Sequence, residues 1–195
     1  MITRLWLVRH GPTHQKAAIG WTDVDVDLSD TAKIARLRNH LPKDAHLISS
    51  DLQRAVKTAD AIGSTQTRHP HREDLREVNF GAWERLTFPE IEAHDPDLAR
   101  AYWDNPGDLA PEGGESWNAF SARIRDAISE ILRTHEGQDI ILAVHFGVIL
   151  CALQMANNMS AKSTIAFEID NLTLTRIDHF PESDSFRIMG VNAHI

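Results

Sequence analysis

Two short apolar runs, each ending on cationic or imidazole side chains, constrain this chain more than any other feature. TRLWLV at residues 3–8 leads into Arg9 and His10, and QDIILAV at 138–144 leads into His145. Runs of this length read as strands rather than helices, and the second is apolar enough to be covered on both faces. A strand covered on both faces requires a sheet with helices on each side. The intervening segments supply them. Residues 29–41 read as a helix, with Ser29 as its cap and Pro42 as its stop. HLISS at 46–50 is another short buried strand. Asp51 to Ile62 then carries Leu52, Ala55, Val56, Ala59 and Ile62 on one stripe, closed by Gly63. Trp117, Phe120, Ile124, Ile128, Ile131 and Leu132 fall at helical spacing across 117–133. Gly147 to Met155 predicts another helix, and alternating segments near 171–178 and 185–191 predict terminal strands.

This alternation predicts an α/β fold: a three-layer sandwich with a mainly parallel central sheet and helices on both faces. A chain of 195 residues suits one domain, taken as 1–195. The stretch from about 80 to 115 is less regular. It offers short helices near 88–94 and 97–103, then NPGDLAPEGGES, rich in turn formers. That stretch is expected to form a small cap insertion.

The charge balance narrows the partners. There are 20 Lys and Arg against 28 Asp and Glu, a net charge of −8. An acidic chain without a basic cluster is a poor nucleic-acid binder, so no nucleic-acid partner is expected. No apolar run approaches the roughly 20 residues that span a bilayer. The opening MITRLWLVRH becomes charged too early for a signal peptide, so a cytoplasmic location and no membrane partner are expected. The single cysteine, Cys151, lies in the apolar run VILCALQM and reads as core. His14, His69 and His71 read as exposed, since their spacing suggests no metal ligands. The five tryptophans read as core and lid packing, with Trp83 and Trp103 in the cap.

In parallel α/β sheets, ligands sit beyond the carboxyl ends of the strands. Arg9, His10 and Gly11 fall at one such end and His145 at another. Arg54 occupies the first turn of the helix that follows a third. Arginine suits a phosphoryl group because its fork of donors is always charged. A helix start adds a positive dipole end to the same anion. A neutral histidine flanked by arginines can attack phosphorus, and Gly11 lets backbone and ligand approach closely. His145 is then a donor to a phosphate oxygen. Leaving-group protonation needs an acid with a raised pKa, and LREVNFGAWE offers Glu77 and Glu84. Glu77 stands among Leu75, Val78 and Phe80, whereas Glu84 has Arg85 beside it as a ready ion-pair partner.

Taken together and in order, LVRHGPT, SSDLQRAVKTA, LREVNFGAWE and AVHFGVI resemble the histidine phosphatase superfamily, the phosphoglycerate-mutase-like family. The likeness runs from residue 3 to the closing GVNAHI, and is nearest to the short bacterial alpha-ribazole and broad-specificity phosphatase branch. The resemblance implies His10 as the phosphorylated nucleophile, with Arg9, Arg54 and His145 completing the phosphate pocket. It implies Glu77 as the proton donor, no metal and no organic cofactor. Thr13 is kept from the family pattern and is a candidate phosphate contact. Pro12, Lys16, Ile19 and Phe146 depart from it; Lys16 would add a cation for a second anionic group, and Phe146 would narrow the pocket or stack on a ring. His194 matches a terminal family histidine. The implied activity is hydrolysis of a small phosphorylated metabolite. The alternatives are a mutase, a protein phosphohistidine phosphatase and a non-catalytic phospholigand module. The short cap between Glu77 and His145 favours hydrolysis over mutase chemistry, and retention of every core residue counts against a non-catalytic role. Oligomeric state is left open.

Overall fold

In the computed structural model, which describes residues 1–195, the first strand β1 (Thr3–Arg9) turns Leu5 and Leu7 to one face and Val8 to the other. All three are fully buried. β4 (Asp139–Val144) repeats the pattern, with Ile140, Leu142 and Val144 on the first face and Ile141 and Ala143 on the second. These two strands pair in parallel at the centre of a six-stranded sheet. β2 (His46–Ser49) is parallel to the other edge of β4, and β3 (Thr67–Arg68) is parallel to β2. On the far side of β1, β5 (Leu174–Phe180) and β6 (Ser185–Ala193) are antiparallel additions. The strand order is β3-β2-β4-β1-β5-β6.

Each face of the sheet has its own helices. The first is covered by α5 (Trp117–Thr134), through Phe120, Ile124, Ile128 and Ile131, and by α6 (Phe146–Asn157). The second is covered by α1 (Thr31–His40) and α2 (Gln53–Ile62), through Ile34, Leu37, Ala59 and Ile62. The cap carries α3 (Phe88–His94) and α4 (Pro96–Asp104) and has a small core of its own. There Trp83 packs against Tyr102 with ring centroids 5.3 Å apart, beside Ile91 and Ala99. Trp103 remains partly exposed. A last short helix, α7 (Ala161–Ile165), follows α6. No helix is long and apolar enough to cross a membrane.

The expected three-layer arrangement is present, with local corrections. Asp30, not Ser29, caps α1, its carboxylate accepting from the Lys33 amide at 2.9 Å. β5 starts at Leu174 rather than near 171, because Leu172 adopts φ 55° and donates its amide to the Arg9 carbonyl. β3 and α7 carry no detectable pattern, being two and five residues long.

Leu142 is enclosed on β4 between its partner strands and the helices of the first face. Leu142→Ala is expected to cost about 2–5 kcal/mol. The check is a lower urea midpoint at unchanged m-value. Met189→Ala, at a half-exposed position on β6, is expected to leave the midpoint nearly in place.

Candidate active site

The β1–β4 register sets Arg9 opposite Val144, so the two chains leave the sheet side by side. The His10 amide still donates to the Val144 carbonyl at 2.9 Å. The next residue on each strand is therefore a histidine, and the rings of His10 and His145 meet edge-on with centroids 5.2 Å apart. Both are buried.

His10 is fixed in one tautomer. Its Nδ1 lies 2.7 Å from the Gly11 carbonyl, which can only accept, so Nδ1 carries the proton and Nε2 keeps its lone pair. Burial, then the charge of Arg54 and more weakly that of Arg9, pulls the His10 pKa down to about 3, with only the Gly11 bond opposing. The loop that carries it is pinned twice. Thr58 Oγ1 accepts from the Gly11 amide and donates to the Arg54 carbonyl, and Asn171 Nδ2 donates to the His10 carbonyl. Gly11 is required by the protein itself. A Cβ there would fall within 2.9 Å of Val26, Asp27 and Leu28, so the space expected for close ligand approach is taken by the 26–28 segment.

Arg54 lies in the first turn of α2, as its spacing predicts, and is almost wholly enclosed. Its guanidinium donates to the Gly20 carbonyl at 2.6 Å and the Thr22 carbonyl at 3.0 Å. Arg9 donates to the Ile169 carbonyl at 2.5 Å and lies 5.3 Å over the Phe146 ring. Its Nε is buried without a partner, as are both ring nitrogens of His145. Burial, with Arg54 next, holds His145 well below the ordinary imidazole range, so that ring is neutral too. The pocket thus combines two guanidinium charges with unused donor capacity turned inward.

Glu77 sits on the chain just after a 3-10 turn at Glu73–Leu75 and reaches the start of α6. Its two oxygens each accept from the Gly147 amide at 3.1 Å, and one also accepts from Val78. A Cβ on Gly147 would stand 2.4 Å from Glu77 Oε1, so the absence of a side chain admits the carboxyl group. Burial raises the Glu77 pKa, outweighing the Gly147 and Val78 bonds and the charges of Arg54 and Arg9. The other candidate, Glu84, is not paired with Arg85. Its carboxylate accepts from the amides of Gly20, Trp21, Thr22 and Phe80 and from the Thr22 hydroxyl. It therefore secures the loop whose carbonyls hold Arg54.

The remaining predicted residues lie at the margin. Thr13 is half-buried on the loop after β1, its carbonyl accepting from Gln15 at 3.4 Å. Lys16 is exposed. Phe146 packs beside Arg9 and lines a cavity of about 190 Å³ that also touches Glu77. His194 bonds Asp170, a carboxylate whose charge acts on Arg9. Cys151 is buried, and burial pushes its thiol pKa up, consistent with a core residue. His14 and His71 are exposed as expected, but His69 is half-buried against His46 and His135. Thr58 and Asn171 are the positioning residues that sequence reading misses. Thr58 sits one helical turn from Arg54, which is the signal that would have found it; Asn171 has none.

Two cations, two imidazoles and a buried carboxyl group gathered beside the carboxyl ends of parallel strands make an arrangement able to hold an oxyanion on an α/β fold. The chain belongs to the histidine phosphatase superfamily (branch 1), which matches residues 5–193. A bifunctional protein of Mycobacterium tuberculosis is 28% identical over 99% of this chain, which spans 55% of that protein, about half its length. A metal-independent phosphoserine phosphatase of Arabidopsis thaliana is 32% identical over 76% of this chain and 66% of its own. Among solved structures, the alpha-ribazole phosphatase of Shigella flexneri is similar with a TM-score of 0.84 at 25% identity, covering 98% of this chain and 96% of its own.

The tautomer of His10 can be checked directly. Because its pKa is lowered to about 3, its ring should stay neutral, protonated on Nδ1, from pH 5 to 8. Nitrogen-15 NMR of the histidine rings is the measurement. A His10 titration near the ordinary value of about 6.5 contradicts this electrostatic account.

Proposed function

We propose that the protein is a phosphomonoesterase that hydrolyses a small phosphorylated metabolite through a covalent phosphohistidine on His10. The observation that carries this reading is the Gly11 carbonyl bond, which leaves the His10 Nε2 lone pair free beside two arginines. In the first step Nε2 attacks phosphorus and the bond from phosphorus to the ester oxygen breaks. Glu77, whose pKa burial raises, gives its proton to that oxygen as the alcohol leaves. Arg9, Arg54 and His145 bind the equatorial oxygens, where charge is spread in the transition state. Thr13 is assigned to the rim of the same site. In the second step the Glu77 carboxylate takes a proton from water, the water oxygen attacks phosphorus, and the nitrogen–phosphorus bond breaks. Inorganic phosphate leaves and both groups return to their starting state. No step draws on a metal or an organic cofactor.

The cavity next to Glu77 describes the alcohol half of the substrate. Phe80, Trp103, Phe120, Phe146 and Leu150 line it, so the group beyond the ester oxygen meets apolar side chains. Apolar or aromatic alcohols are therefore favoured over zwitterionic ones. The discrimination should reach about tenfold for each methylene that the cavity encloses.

Four measurements test this reading. His10→Ala should reduce phosphate release to background and eliminate the phosphoenzyme trapped by rapid quenching; surviving turnover would sink the mechanism. Glu77→Gln should slow alkyl phosphates by about 10²–10⁴ while sparing p-nitrophenyl phosphate, whose leaving group needs little protonation. Equal losses on both substrates remove Glu77 as the acid. A chelator should leave turnover unchanged. Assay against 2- and 3-phosphoglycerate separates hydrolysis from mutase chemistry, since interconversion without phosphate release contradicts the proposal.

A further inference from the structure

Away from the phosphate pocket, three imidazoles from three elements converge. His46 opens β2, His69 follows β3 and His135 caps the C-terminus of α5. His46 Nδ1 and His69 Nε2 are 2.8 Å apart. Each of the three residues presents a ring nitrogen within 4.8 Å of the other two. The ring centroids form a triangle with sides of 5.0, 4.2 and 5.0 Å. His46 begins β2 and His135 precedes β4, so these two lie at the amino ends of their strands, and His69 reaches them from just past β3. His10 and His145 lie at the carboxyl ends.

We propose that His46, His69 and His135 form a binding site for a borderline divalent transition-metal ion, with zinc(II) the natural fit. Two sides of the triangle have the dimensions such a site needs, and the 4.2 Å His46–His135 side would open by about 1 Å on binding. Ring nitrogens at about 2.0–2.1 Å from a tetrahedral ion stand roughly 3.3 Å apart, with centroids roughly 5 Å apart. The His46–His69 pair would open by a few tenths of an ångström, exchanging one N–H···N hydrogen bond for two metal bonds. An all-imidazole ligand set selects zinc, copper, nickel or cobalt and not magnesium or calcium, which take oxygen. The ligands must be neutral to bind. Burial lowers the pKa of both His69 and His135, and the neighbouring imidazoles lower it further. A recess of about 270 Å³ bordered by His69 and His135 gives an ion access and leaves room for water in the fourth position.

Nearby charges are already committed. Arg68, which disfavours a cation, bonds Ser49 Oγ and the Leu47 and His69 carbonyls and lies 3.5 Å from Asp60. Arg72 pairs with Asp74 and Glu130. Neither guanidinium displaces a histidine from the cluster. An ion held there would tie the start of β2 to the end of α5, so its contribution is to stability and not to chemistry at His10.

The test is cobalt(II) titration of tag-free protein, followed by visible absorption and competed with zinc(II). One equivalent per chain with the absorption of a tetrahedral site is expected, together with a higher Tm for the metal-loaded protein. His46→Gln and His135→Gln should each weaken cobalt binding by at least about 100-fold, the upper end of what loss of an outer partner costs a metal site. Both should also lose the metal-dependent rise in Tm. His10→Asn should retain the cobalt stoichiometry, which separates this site from the active-site imidazoles. Absence of stoichiometric binding to the wild type overturns the proposal. So does binding that survives both glutamine variants, or binding that disappears in His10→Asn.

Discussion

The site depends on one backbone interaction, the parallel pairing of β1 with β4. Placing Arg9 opposite Val144 makes His10 and His145 neighbours, and the His10 amide extends the ladder by one more bond to the Val144 carbonyl. A slip of one residue would turn every buried side chain of β1 to the opposite face. Leu5 and Leu7 would leave the α5–α6 core for the α1–α2 face, and Val8 would move the other way. The hydrophobic pattern that fixes the sheet therefore also fixes the spacing between the two imidazoles. Fold stability and site geometry are set by the same contacts.

Enclosing four basic side chains at one end of a sheet is costly unless each is either uncharged or hydrogen-bonded. The chain uses both solutions. The two histidines give up their protons, and their neutrality follows from burial first and from the adjacent guanidinium groups second. The two arginines remain bonded to backbone carbonyls of Gly20, Thr22 and Ile169. Glu77 shows the opposite balance: burial favours its protonated form even though the α6 amide and two cations pull the other way. The same enclosure thus lowers the pKa of the imidazoles and raises that of the carboxyl group within one pocket.

Much of this was legible from the residues. The runs at 3–8 and 138–144 located the central strands, because burial on both faces leaves an apolar signature. Arg54 and His145 were found because strand ends and helix starts can be read from pattern. The acid was harder. Apolar neighbours favoured Glu77 only weakly, and family resemblance assigned it. What separates the two glutamates is tertiary: Glu84 meets four donors from residues 20–22, while Glu77 meets one helix start, the adjacent Val78 amide and apolar walls. The histidine cluster was invisible for the same reason. His46, His69 and His135 lie far apart along the chain, and only the β2–β3 pairing and the end of α5 unite them. Gly11 reads in sequence as a place for close ligand approach, and what a side chain there would meet is Val26, Asp27 and Leu28.

Glu84 has a consequence for how this scaffold can diversify. Its carboxylate gathers the amides of residues 20–22 from one side and Phe80 from the other. Beside it, residues 17 and 18 pair with 85–87 in a short backbone ladder. These bonds rivet the root of the cap to the loop that carries Arg54, while α3 and α4 beyond them keep a hydrophobic cluster of their own. The outer cap is therefore a replaceable part. Its helices can drift in sequence and length, while the rivet keeps the loop that holds Arg54 in register.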